Sequence, residues 1–348
     1  MAELGLLLIR ADANAQMGTG HVMRCLALAQ AWHARGGQVL LASADRNLAL
    51  EPRLKGEGLE LAVLGVQAGS DADAASTVAL AGSRSATWTI LDGYHFGSAY
   101  QQEVLAGARS VLMLDDYVQS DRFYATVLLN QNLHADRARY EKVAPGARLL
   151  LGNKYALLRR EFWAWRGKRR AHSGVLRRIL VTLGGGDADN VTAKVISGLG
   201  PLSELGVEIL VLVGANNPHG PALQAQSARL PLQIRLERNV SDMPAVLAEC
   251  DLAICGGGAT CWEMAFFGIP MLPVILAANQ QPIAESLDTA DVAQSLGWHD
   301  ELRPEKISDA VRALAREPGR LMEMSRNGRR LVDGWGVERV LDALTASS

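Results

Sequence analysis

The sequence is short of the features that mark several specialised classes of protein. Its 348 residues include four cysteines, Cys25, Cys250, Cys255 and Cys261. These lack the paired short spacings of a zinc site, and a chain this long needs no disulfide framework. They read as buried or near-site thiols in a reducing cytoplasm. Charge of one sign is also missing: 35 basic residues against 37 acidic ones leave a net charge of −2, so no field favours nucleic acid or an acidic membrane surface as partner. No apolar run approaches membrane-spanning length. Glu3 ahead of a short apolar run does not fit a secretory leader. Gly-x-Ser-x-Gly, Walker and His-Glu-x-x-His patterns are absent, as are low-complexity tracts and repeats of solenoid period. What remains is a small ligand held by local geometry, with no cofactor and no metal called for. A monomer is the default expectation, and nothing in the sequence fixes the oligomeric state.

What is present is a pattern that occurs twice. Nearly half of the residues are hydrophobic, enough for two cores in a chain too long for one. Leu4 to Ile9 reads as a strand, followed by a glycine-bearing loop and a helix whose apolar residues include Val22, Leu26 and Ala29. Gly36 and Gly37 close that helix, and strands follow at Val39–Ala42, Thr89–Leu91, Ser110–Leu114 and Val127–Leu129. After the basic, structure-poor stretch 166–174 the pattern restarts with Ile179–Leu183. A glycine turn and a helix from about Val191 come next, then strands at Leu210–Val213, Gln233–Leu236, Leu252–Cys255 and Met271–Val274. The expected fold is therefore α/β: two doubly wound, Rossmann-like domains, 1–165 and 175–348, joined by the linker 166–174. Ligands of such sheets bind beyond the carboxyl ends of the strands, and two such edges facing each other would make a cleft.

The candidate residues lie at those strand ends. Gly18-Thr19-Gly20-His21 sits between the first strand and first helix, where glycine permits a sharp turn and close approach of a ligand. Met23 replaces the third glycine of a dinucleotide fingerprint, so that reading is set aside. A helix start favours the neutral form of His21, which could then take a proton from water; the plainer reading is a histidine that only caps the helix. His21 and Cys25 are helically spaced, but no further ligands complete a metal site. Gly256-Gly257-Gly258-Ala259-Thr260 opens a second helix whose exposed N–H groups suit a diphosphate. Glu263, one turn on, suits a ribose; alone it could equally be an acid complementing the helix dipole. Asn279 and Gln280 offer amides for sugar hydroxyl or acetamido groups. Asp92-Gly93-Tyr94-His95 and Asp115-Asp116-Tyr117 end strands of the first half and could line the other wall, although such residues often serve as caps and turns.

These residues, in this order, resemble the UDP-2,4-diacetamido-2,4,6-trideoxy-β-L-altropyranose hydrolase family of pseudaminic (nonulosonic) acid biosynthesis. That family lies within the GT-B superfamily that includes the lipid II glycosyltransferase. The most specific stretch runs from Arg10 to Ala29. It is joined by Asp92-Gly93-Tyr94, Asp115-Asp116, Asn130-Gln131-Asn132, Leu151 to Phe162, Gly184 to Asp187, Gly256 to Glu263 and Asn279-Gln280. The resemblance extends to about Trp298, with Asn14 where the family usually has serine and Met264 where cysteine is common.

The resemblance implies metal-independent hydrolysis of a UDP-sugar, in which water attacks the anomeric carbon with inversion and UDP leaves. His21 would be the base. Asp12, Gly18, Gly20, Arg24, Tyr94, Asn279 and Gln280 would surround the sugar, and Gly185, Gly257, Gly258, Ala259, Thr260 and Glu263 the UDP. GT-B chains often return their tail, here beyond about residue 304, to the first domain. The motifs do not fix whether the sugar is of pseudaminic or legionaminic type. A GT-B glycosyltransferase would share the second glycine loop and Glu263. It would also need an acceptor surface, for a lipid an apolar patch rimmed by basic residues on the first half, and no amphipathic basic helix is evident there. A non-catalytic nucleotide-sugar sensor would bind the ligand without consuming it.

Overall fold

The computed structural model describes residues 4–14, 17–48, 50–169, 171–214, 217–238, 240 and 242–346. Ala15 and Gln16 of the first glycine loop and Arg170 of the expected linker lie outside the described residues. The chain divides into two compact units. Unit 1 runs to Arg160 and resumes at Gly334, and unit 2 is Glu161–Asp333.

Unit 1 is built on a seven-stranded sheet in the order β3-β2-β1-β4-β5-β6-β7. Its strands are β1 Leu6–Ala11, β2 Gln38–Ser43, β3 Glu60–Val63, β4 Ala86–Asp92, β5 Val111–Leu114, β6 Val127–Asn130 and β7 Arg148–Leu151. All pairings are parallel. Every residue of β1 is buried, as expected of a parallel sheet covered on both faces, where strands become continuous apolar runs. The order reverses between β1 and β4, whose ends Ala11 and Asp92 are register partners. A doubly wound sheet opens its ligand crevice at such a switch point.

The helix Gly20–Ala34 buries Val22, Cys25, Leu26 and Ala29, and most of its remaining residues too. A helix so completely buried must be covered on two sides. The sheet covers one, and the helix Gly336–Thr345 packs on it through buried Val337, Val340, Leu341 and Leu344. Gly336 is held so tightly that a Cβ there would stand 2.2 Å from the Ala156 carbonyl oxygen.

Unit 2 carries a six-stranded parallel sheet in the order β10-β9-β8-β11-β12-β13. These strands are β8 Arg178–Thr182, β9 Glu208–Val213, β10 Gln233–Arg238, β11 Leu252–Gly256, β12 Met271–Ile275 and β13 Gly297–Trp298. The reversal falls between β8 and β11, after which come the two glycine loops of this unit. Residues 161–169 sit with unit 2, with Phe162 against Phe266 and Phe267. The helix Pro304–Arg316 also belongs to unit 2, and its Ile307, Val311 and Leu314 join the core formed by Val195, Leu199 and Val211. The return to unit 1 begins only at Gly334. No helix among the described residues is long and apolar enough to cross a membrane.

Candidate active site

At the switch point of unit 1, β1 delivers Asp12, β4 delivers Asp92 and β5 delivers Asp115 and Asp116. The glycine loop between β1 and the helix Gly20–Ala34 brings His21 to the same place. Gly18 takes φ +76°, where a side chain would be strained. Gly20 has ordinary φ and open space where a Cβ would stand, so its smallness keeps the approach to the helix start clear.

His21 Nδ1 lies 2.7 Å from Asp92 Oδ1. Arg24, one turn along the helix, donates from Nε to Asp92 Oδ2 at 2.6 Å and from a terminal nitrogen to Oδ1 at 2.6 Å. The other arm of Arg24 donates to Asp116 Oδ1 at 2.7 Å. The Cys25 thiol adds a donor to Asp92 Oδ2 at 3.3 Å. Asp92 is fully buried. Burial works against its ionisation, yet the charge of Arg24 and then His21 outweigh burial and hold the carboxyl far below its usual range. Asp116 is governed the same way: burial opposes its charge, Arg24 restores it, and the carboxyl ends below its usual range.

An ionised Asp92 is an acceptor only, so in the uncharged form of the His21 ring the hydrogen sits on Nδ1 and the lone pair on Nε2. Nε2 has no hydrogen-bond partner among the described residues. The arrangement matches, in geometry, the histidine–carboxylate half of a general-base system. Of the pair weighed from sequence for a metal, His21 Nδ1 and the Cys25 thiol both bond to Asp92. Among the described residues no group of three or more His, Cys, Asp or Glu is set to hold a metal ion.

The other residues expected around the sugar divide. Tyr94 donates its hydroxyl to Asp116 Oδ2 at 2.7 Å, and its ring meets the His21 ring edge-on with centroids 4.7 Å apart. Asp12 faces inward: Oδ1 accepts from the Ala44 N–H at 2.7 Å, and Oδ2 lies 2.7 Å from Arg10 and 3.0 Å from His95 Nε2. It ties β1, β2 and the loop after β4 together. Arg24 is likewise committed to two carboxylates. Sequence reasoning named Asp92 and Asp116 as strand-end acids that could line the other wall of the site; their joint grip on Arg24 and His21 depends on adjacency in the sheet. Asn132 Nδ2, 2.9 Å from Asp116 Oδ1, and His134 Nε2, 2.8 Å from the Asp116 carbonyl, complete the surround. His134 carried no signal in the sequence.

In unit 2 the loop after β11 enters the helix Thr260–Phe267. Gly257 cannot become alanine without meeting the Gln280 carbonyl at 2.9 Å, whereas the space at Gly258 is open. Gln280 Oε1 accepts from the Gly257 N–H at 3.0 Å and from the Leu276 N–H at 3.2 Å. The Gly257 N–H is therefore spent within the protein. Among the described residues the N–H groups of Gly258, Ala259 and Thr260 have no acceptor, and adjacent free donors at a helix start are of the kind that can hold an anion. Glu263 lies in the first turn of that helix, half-buried. Gly185 follows β8, but the helix beyond it is capped by Asp187, which accepts from Val191 N–H at 2.8 Å and Thr192 N–H at 3.1 Å. An anion at that helix start would face the Asp187 carboxylate, whereas the free donors after β11 have no carboxylate bound to them.

The fold and its two strand-end loops place the chain in a class: it is an α/β protein of GT-B type. A crystal structure of Acinetobacter baumannii MurG superposes with TM-score 0.68 over 98% of this chain and 99% of that one, at 19% identity. Residues 178–334 match the glycosyltransferase family 28 C-terminal domain. The chain is 27% identical over 220 residues to the spore coat polysaccharide biosynthesis protein SpsG of Bacillus subtilis (strain 168), covering 62% of this chain and 63% of that protein. It is 24% identical over 282 residues to the UDP-2,4-diacetamido-2,4,6-trideoxy-beta-L-altropyranose hydrolase of Campylobacter jejuni, covering 80% of this chain and 94% of that enzyme. The match thus spans less than two thirds of SpsG but nearly all of the hydrolase.

Proposed function

We propose that the protein hydrolyses a UDP-linked 2,4-diacetamido-2,4,6-trideoxy sugar, a step of nonulosonic acid biosynthesis of the pseudaminic type. The observation that carries this reading is the buried, ionised Asp92 on His21 Nδ1, which leaves Nε2 as an acceptor with no protein partner. In the proposed reaction Nε2 takes a proton from water, and the water oxygen bonds to the anomeric carbon as the bond to the UDP oxygen breaks, with inversion. The UDP carries the electron pair away, held by the N–H groups of Gly258, Ala259 and Thr260 and by Glu263, with no divalent ion. Similarity to the Campylobacter jejuni hydrolase over most of its length supports the choice of substrate. The reading places the protein in the cytoplasm, where nucleotide sugars are made. Incubation with a panel of UDP-diacetamido sugars, with UDP and free sugar followed by NMR, tests it. Absence of UDP release from every member would sink it.

One observation favours a second reading, glycosyl transfer. Unit 1 contains a cavity of about 530 Å³ lined by Ala13, Val22, Leu41, Leu50, Leu54, Leu61 and Val63, with Arg46 and Lys55 among its polar residues. Ala13 and Val22 adjoin Asp12 and His21 in sequence, so an apolar acceptor group there would be near the candidate base. Glu51 pairs with both Arg46 and Lys55, at 2.7 and 2.6 Å, which leaves no bare basic rim for a phosphorylated lipid. UDP release that requires an added apolar alcohol, with the sugar recovered on that alcohol, would decide for transfer.

A further inference from the structure

Tyr117 takes no part in the chemistry above, and the structure spends considerable effort in presenting it. It follows two buried acids, Asp115 and Asp116, yet is itself 38% exposed. Asp115 Oδ2 accepts from the Val118 N–H at 2.6 Å and Oδ1 from the Gln119 N–H at 3.2 Å, so the carboxylate folds the chain back beneath Tyr117. The Tyr140 hydroxyl also donates to Asp115 and is itself bonded by Asn130. The turn puts Val118 at φ +64°, a left-handed conformation that a β-branched residue adopts only when its surroundings impose it. Strain of this kind, imposed by buried anchors around an exposed aromatic, is not what a solvated loop requires.

The direction of that presentation is informative. The Tyr117 ring meets Tyr94 with centroids 5.3 Å apart at 57°, and Tyr94 in turn meets His21. Three rings therefore run outward from the candidate base. The inner two are fixed through Asp92 and Asp116; the outermost hydroxyl has no partner among the described residues.

We propose that Tyr117 is a specificity-determining residue, an aromatic platform that receives the sugar of the nucleotide sugar. This rests on the reading of His21 as the group that acts at the anomeric carbon. An aromatic face favours the C–H surface and methyl groups of a ligand over hydroxyls that would lose water there. It therefore suits a deoxy sugar bearing acetamido groups better than a hexosamine with a free hydroxymethyl group.

The test is equilibrium binding of UDP-2,4-diacetamido-2,4,6-trideoxy-hexose, UDP-N-acetylglucosamine and UDP to the full-length protein in a His21→Asn background, which keeps the ligands intact. The trideoxy ligand is expected to bind about tenfold more tightly than UDP. Tyr117→Ala should abolish that factor with UDP affinity unchanged, and Tyr117→Phe should keep it. An undiminished factor in Tyr117→Ala overturns the proposal. So does an equal loss for UDP, or no preference for the trideoxy ligand before Tyr117 is changed. Failure of hydrolysis reads differently: a protein that binds the trideoxy ligand through Tyr117 but releases no UDP refutes the hydrolase reading and keeps the platform.

Discussion

Asp92 Oδ1 and His21 Nδ1 stand 2.7 Å apart at the ends of two elements joined by the sheet, β4 and the helix after β1. This contact decides which nitrogen of His21 is available for chemistry. His21→Asn should lower UDP release by about 10²–10⁴-fold, the usual scale for loss of a general base, with UDP affinity little changed. Asp92→Asn should cost on the order of 10⁴-fold, because an amide no longer holds the proton on Nδ1. Steady-state kinetics beside a UDP titration separates these losses from loss of binding. Unimpaired turnover in either variant would leave the pair a purely structural role.

Arg24 bridges Asp92 and Asp116, and all three side chains are buried. Arg24→Ala leaves two buried carboxylates without their cation and should destabilise unit 1 by roughly 3–5 kcal/mol. Arg24→Lys should recover only part, since an ammonium cannot donate to both carboxylates in the planar fork that Arg24 uses. Denaturant unfolding measures both; equal stability of Arg24→Ala and the parent would refute the bridge.

The same carboxylates set a pH dependence. Asp92 and Asp116 are held below the usual carboxylate range in the folded chain despite burial, through Arg24. Asp12 and Asp73 are also lowered, burial being outweighed by hydrogen bonds and charge from His95 and Arg10 for Asp12 and from Arg10 for Asp73. A lowered folded value means stability present above the unfolded carboxylate pKa of about 3.9 and lost as pH falls through the folded values. Unfolding free energy should therefore drop on acidification below about pH 4, and less steeply in Asp73→Asn. A flat profile across that range would contradict the assignment.

Gln280, read from sequence as a sugar-facing amide, uses its side-chain oxygen to brace the glycine loop of unit 2. Gln280→Ala should loosen the Gly258–Thr260 donors and weaken UDP binding by about tenfold, the scale of one or two lost hydrogen bonds. Glu263→Ala should weaken UDP similarly, while a chelator should leave affinity unchanged. Calorimetric titration with and without chelator reads all three, and dependence on a divalent ion would defeat the metal-free reading.

The sequence made the architecture readable because parallel strands buried on both faces are apolar runs, unbroken in β5 and β11 and interrupted in β1 only by Arg10. It hid β3, β7 and β13, which are short strands at or near sheet edges. An edge strand such as Glu60–Val63 has no fully buried residue, its two end residues being exposed and its two middle ones only partly covered. Both glycine loops and His21 were legible for local reasons: glycine spacing at a strand end is itself the signal. The grip of Asp92 and Asp116 on Arg24 was not, because it joins residues 68 and 92 positions apart through the strand order β1-β4-β5. The inward orientation of Asp12 and the bracing role of Gln280 depend on side-chain direction, which residue type at a loop does not encode.

The helix Gly336–Thr345 lies on the helix that carries His21, although the whole of unit 2 separates them in the chain. On a ribosome, unit 2 is therefore made before unit 1 can be completed, and the surface that receives Val337, Val340 and Leu344 stays uncovered until that helix emerges. The element that presents the candidate base is thus locked only after all of unit 2 has been made. A chain stopped just short of Gly334 would possess every residue of both strand-end loops and still lack the helix that packs on the one carrying His21.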